Sequence, residues 1–199
     1  MKYKLLEDET KVHNGVTLYR IQSLSNFSDV KSGDKGGWIE KESNLSQYDN
    51  AWIYDNAMVY GNAIVYTDAK VYGNAWIYDN AKIYDNAWIY DNAKVYGNAI
   101  VCKDAKVYND AEVYNDSIVF RNARVYGHAK IYDNARVYRD AEVYEGAIVF
   151  GNARVHGHAK VYDTAKVYNY AEVYEGAIVF GNARVHGHAK VYDTAKVYD

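Results

Sequence analysis

Six histidines, His13, His128, His156, His158, His186 and His188, are the side chains best placed to move protons or hold a metal at neutral pH. Two pairs, His156-Gly157-His158 and His186-Gly187-His188, set imidazoles two residues apart, as a zinc ligand pair would be. Carboxylates are abundant, yet Asp49, Asp55, Asp79, Asp85 and Asp91 each stand beside Asn, Gly or another turn former. They do not form the repeated Asp-rich loop of a calcium solenoid. No glycine-rich phosphate loop is present. Thr67, Thr164 and Thr194 are too few for a flat threonine array of the ice-binding kind. Cys102 is the single cysteine, so there is no internal disulfide framework, and it stands where a tyrosine is expected.

What decides whether any of these groups meet is the period of the chain. From Ala51 onward every sixth residue is Ala, with Ser117 the one exception. Two residues after each comes Val or Ile in all 25 copies. The next position is Tyr in nineteen copies, Phe at Phe120, Phe150 and Phe180, His at His156 and His186, and Cys at Cys102. In Ala-x-Val the alternation has the period of a strand, so Ala and Val face inward and x faces solvent. Asp-Asn and Gly-Asn supply turn chemistry, because Asn and Gly tolerate positive φ. An Ala every sixth residue matches no helical face.

Three strand-plus-turn units close a triangular coil, and the 25 units make about eight coils. At the ~4.8 Å strand spacing the rod is about 40 Å long. The expected fold is all-β: a left-handed parallel β-helix over residues 45–199, with an N-terminal β-hairpin cap over residues 1–44. The Tyr positions then stack as three ladders at the corners. The two His pairs, 30 residues apart, fall at different corners of the coil, with His128 at the third, so no metal site is expected. Residues 147–168 recur unchanged at 177–198. An offset of five units moves the copied segment to another face.

The first 44 residues lack the repeat. Lys2–Leu6, Lys11–Val12 and Val16–Ser23 read as strands, and Asn14-Gly15 as a hairpin turn. This segment covers the open edge of the first coil. At the other end the chain stops within a unit, which exposes Val191, Tyr192, Ala195, Val197 and Tyr198 to self-association, tail to tail. The 23 Tyr and the absence of Pro both suit a chain that is ladder nearly throughout. A net charge of −3 offers no general attraction to nucleic acid or anionic membrane. The N-terminus has no secretory apolar region and no apolar run spans a bilayer, so a cytoplasmic location is expected.

The stretch Phe27-Ser28-Asp29-Val30-Lys31-Ser32-Gly33-Asp34-Lys35-Gly36-Gly37-Trp38-Ile39-Glu40, followed by Asn44-Leu45-Ser46 and then repeats, resembles a bacterial and phage-borne family of hexapeptide-repeat proteins. Its members are uncharacterised or named as putative acetyltransferases. The resemblance covers cap and rod and implies a left-handed β-helix. It carries over no catalytic residue. Acyltransferases of this fold use a loop leaving the solenoid and a site between subunits. Here no insertion interrupts residues 51–199.

The variable outward positions remain. Trp52, Met58, Ile64, Trp76, Trp88, Ile100 and Ile118 make the cap-proximal half apolar outside, as a protein-binding surface would be, unless the cap covers them. The expectation is a non-catalytic rod without cofactor that binds itself and another protein. The alternatives are an acyltransferase with an intersubunit site and a ligand binder using stacked Tyr.

Overall fold

A computed structural model describes residues 1–199. Strands β1 (Tyr3–His13), β2 (Val16–Ser23) and β3 (Lys35–Ile39) form the N-terminal part. Twenty-five short strands follow, from β4 (Trp52–Ile53) to β28 (Lys196–Val197), one for each repeat unit. They assemble into three parallel sheets of eleven, nine and eight strands, the eleven including β1 to β3. We call these faces by their first rod strands: face 1 begins at Trp52–Ile53, face 2 at Met58–Val59 and face 3 at Ile64–Val65. Residues 18 apart pair in register on every face, as in Trp88↔Lys106 and Val95↔Val113. The rod is a β-solenoid of about nine turns.

The core follows from the unit. Nearly every Ala and Val or Ile of the repeat is fully buried, and the inward residues form one continuous cluster. Small Ala beside larger Val lets three walls meet around a narrow axis at interior packing density. Ser117, the one departure from Ala, is also fully buried, and its Oγ donates to the Tyr114 carbonyl at 2.8 Å. Backbone N–H groups reach the next coil, as from Lys94 to the Ala111 carbonyl at 2.9 Å and from Tyr96 to the Val113 carbonyl at 3.0 Å. Each coil is therefore held by its neighbours. The corners turn through the left-handed region, with Asp79 at φ 58° and Gly97 at φ 66°. At the corner after face 3 the turns at 67–68, 85–86, 103–104 and 121–122 place both residues there.

The cap hairpin forms as its sequence dictates. Asn14 (φ 49°) and Gly15 (φ 80°) make the turn, and β1 pairs antiparallel with β2. β2 pairs antiparallel with β3. β3 then switches to parallel pairing, Trp38↔Met58 and Ile39↔Val59, and Leu45 bridges to Val65. Residues 38–50 thus make a turn of their own. The stack exceeds the eight coils counted from the strict repeat because this turn lacks the repeat's Ala, and its Tyr48 stands exposed outside the ladders. Gly36 and Gly37 permit the approach: a Cβ on either would lie 2.6 Å from the Ile53 carbonyl oxygen or 2.4 Å from Ile53 Cγ2. Lys2 closes the edge by donating from Nζ to the carbonyls of Asp49 (3.0 Å) and Ala51 (2.7 Å). The duplicated segments lie on different faces, with Ile148 on face 2 and Ile178 on face 1. No helix is long and apolar enough to cross a membrane.

Candidate binding face

The corner aromatics stack in three ladders, at centroid spacings such as 4.7 Å for Tyr90–Tyr108 and 4.8 Å for Tyr96–Tyr114. The rings lie nearly parallel, because the strand spacing dictates both separation and tilt. The ladder after face 3 is interrupted where Cys102 stands between Tyr84 and Phe120. Burial between neighbouring rings pushes the phenols up, to about 12 for Tyr90 and Tyr114. In this ladder His156 lies between Tyr138 (4.7 Å) and Tyr174 (5.2 Å). Burial, and the Arg139 charge, lower its pKa. That imidazole takes the place of a phenol in the stack.

The outward apolar residues do not form one patch. Trp52 is 1% exposed, packed edge-on by Tyr3 (6.1 Å) and Phe27 (5.4 Å) of the cap. Met58 is 5% exposed, in a cluster with Leu18 and Tyr60. Neither can serve as a partner-binding residue, and the expectation is corrected for both: the cap folds over the first turn and buries them. Trp76 is half-buried against His13 at 4.5 Å, with Lys94 over its ring. Ile64 stands alone at the edge of face 3, whereas Ile100 and Ile118 pair as cross-strand neighbours. Trp88 is 37% exposed on face 1. At the far end Val191 is buried and Val197 half-buried, while Tyr192, Ala195 and Tyr198 are exposed.

Around Trp88 the structure builds a site. An open groove of about 950 Å³ runs along face 1 with Trp88 as its one apolar residue. Lys70, Lys106, Arg124 and Lys160 line it with Glu142, which pairs with Arg124 and Lys160, and Asn86, Asp104, Asn122 and Asp140 line it from the adjoining corner. Lys106 lies over the Trp88 ring at 4.7 Å. Toward the cap is a pocket of about 320 Å³ lined by Tyr54, Tyr72 and Trp88 with Asp29, Asp55 and Lys70. Asp29 organises its wall. Its Oδ1 accepts from Lys70 Nζ (2.6 Å) and from the Tyr54 hydroxyl (2.9 Å). The Lys70 ammonium holds the Asp29 carboxyl down to about 2. Asp29 lies in the cap loop, 41 residues before Lys70. No sequence spacing signals that contact, so Asp29, Lys70, Tyr54 and Tyr72 were absent from the residues expected to bind.

The other chemical candidates are dispersed. His128, His158 and His188 stand at three different corners. No three His, Cys, Asp or Glu side chains converge. The turn aspartates clamp successive coils: Asp55 accepts from the Gly73 N–H at 3.0 Å and Asp79 from that of Gly97 at 3.2 Å. Asn ladders add Asn62 to Asn80 at 3.2 Å and Asn80 to Asn98 at 3.1 Å. Burial raises the Cys102 thiol pKa.

Fold and ladders together define a β-solenoid repeat protein. Residues 51–67 and 129–145 match the YdcK beta solenoid repeat family. A stretch of 49 residues, 25% of this chain, is 49% identical to the uncharacterized acetyltransferase YdcK of Escherichia coli (strain K12) and spans 14% of that protein.

Proposed function

We propose that this chain is a non-catalytic rod that presents a binding surface for a protein partner beside its cap. The carrying observation is the Trp88 site, where an exposed aromatic ring, flanked by Tyr72 and the Asp29–Lys70 pair, is held on a rigid face. Rigid aromatic anchors with polar rims suit recognition. The repeat spacing is unbroken from residue 51 to 199, so no loop leaves the solenoid to enclose a reaction site. Trp76 on face 2 and Ile64, Ile100 and Ile118 on face 3 are separate contacts in this reading, and the cytoplasm is the compartment we assign to the protein.

Self-association through Val191, Tyr192, Ala195, Val197 and Tyr198 is part of this reading. Tyr192 and Tyr198 are among the exposed large hydrophobic residues. Light scattering tests it: Val197→Asp is expected to abolish an end-to-end dimer.

The name of the YdcK relative favours a second reading, an acyltransferase with a site between subunits. Titration calorimetry with coenzyme A separates the two. The scaffold reading expects no binding heat and no trimer; saturable coenzyme A binding by a trimer would overturn it.

A further inference from the structure

The corner after face 3 carries a column of cations that form no ion pair within the chain, although Asp85, Asp104 and Asp140 share that corner with them. Lys103, Arg121 and Arg139 recur there on three successive coils, all exposed. Their φ values are 54°, 56° and 62°, in the left-handed region that elsewhere in the rod is held mostly by Gly, Asn or Asp. Long cationic side chains are disfavoured in that conformation, so their presence there needs a reason. None of the three forms an ion pair within the chain, although ten other pairs do form. Like charges stacked one strand spacing apart also repel one another.

Two coils further along the same corner the sign reverses. Gly157 comes first, then Glu175 and Asp193, both exposed and both at positive φ for the acids (59° and 55°). The neighbouring Asp193 carboxyl raises the Glu175 carboxyl above its ordinary value. Read along the rod, the first residue of each turn is therefore cation, cation, cation, glycine, acid, acid, each one coil from the next, and the second is Asp104, Asn122, Asp140, His158, Gly176 and Thr194.

We propose that this corner is a self-complementary interface on which a second copy of the chain lies side by side and antiparallel. A twofold axis between the Arg139 and Gly157 coils sets Lys103 against Asp193 and Arg121 against Glu175, each pair occurring twice. Arg139 then faces Gly157, the coil with no side chain to clash. The register needs no adjustment, because both columns have the spacing of one solenoid. An interface in which residue i meets j and j meets i is the closed arrangement expected of a homodimer. The acid pair Glu145 and Asp163, where Asp163 likewise raises the Glu145 carboxyl, lies at the corner after face 1, which has no cationic column. It supplies a control. This inference is independent of the Trp88 site and of the tail-to-tail contact.

Sedimentation equilibrium of the full chain at low and high salt tests it. In the Val197→Asp background, which removes the proposed end-to-end contact, the chain is expected to dimerise at low salt and dissociate as salt rises. Arg121→Glu and Glu175→Arg, each alone, are expected to weaken the dimer about tenfold or more, since each places like charges in both symmetry-related pairs. Glutamate already occupies this turn conformation at positions 145 and 175, so Arg121→Glu is compatible with the fold. An equimolar mixture of the two variants restores both pairs and is expected to form the heterodimer. Glu145→Arg and Val197→Asp are expected to leave the lateral dimer intact. A Val197→Asp chain that stays monomeric at low salt, charge variants in that background with unchanged affinity, or a mixture no tighter than its components would each overturn the proposal.

Discussion

Single positions of the repeat differ widely in what they tolerate, and the reason is how each side chain meets the next coil. Ser117 occupies an Ala position, and its hydroxyl serves a carbonyl of its own turn. Ser117→Ala restores the repeat residue and is expected to change stability by less than about 1 kcal/mol in guanidinium unfolding. Ile131, fully buried one face away, fills the axis of the rod. Ile131→Ala is expected to cost about 2–5 kcal/mol by the same measurement, because two flanking coils cannot collapse into the void. A further contrast lies in the turns. A Cβ at Gly97 would lie 2.7 Å from the Asn115 nitrogen, with φ already at 66°. The inward positions were readable from residue type alone. Asp29 was not, because its partner Lys70 reaches it only through the folding of the cap over face 1.

At the scale of elements the Tyr ladders set the chemistry of the surface. Each ring inside a ladder loses water from both faces, which is why burial is the first cause of the raised phenols of Tyr72, Tyr90, Tyr108, Tyr114 and Tyr144. A group whose folded pKa lies above its unfolded value contributes stability that is whole below the unfolded pKa. That stability is lost as pH rises through the folded one. The ordinary phenol value is 10 and Tyr90 stands near 12. The rod is therefore expected to hold its stability up to about pH 10 and to lose it steeply between there and pH 12. Denaturant midpoints measured across that window, beside phenolate absorbance, would show the loss following ionisation. A flat midpoint would refute the ladder's role. Within one ladder, Tyr114→Phe keeps both stacked faces and is expected to be mild. Tyr114→Ala loses two, against Tyr96 and Tyr132, and is expected to cost about 1–3 kcal/mol.

For the whole molecule, stability passes from coil to coil, and the cap seals one end of that chain of contacts. Trp52, enclosed by Tyr3 and Phe27, is the largest fully buried side chain. Trp52→Ala is expected to cost about 3–5 kcal/mol. Hydrogen exchange should show protection lost first in residues 3–60, while coils around Val113 keep theirs. Uniform loss of protection would mean that the solenoid unfolds as one unit instead.

Solenoid, inward residues, corner ladders and dispersal of the histidines all followed from the sequence, because a strict period of six admits one set of strand faces and turns. The sequence also showed that the two copied segments must lie on different faces. Three things waited for the tertiary structure. The cap adds a turn without the repeat residues, since β3 changes from antiparallel to parallel pairing at Trp38. It buries Trp52 and Met58, which composition alone marks as outward and apolar. And it brings Asp29 to Lys70 beside Trp88, a contact between segments with no shared period. Periodic order can be read from spacing because the same contact recurs at every coil. A single contact between a loop and a face recurs nowhere, so only the folded chain decides it.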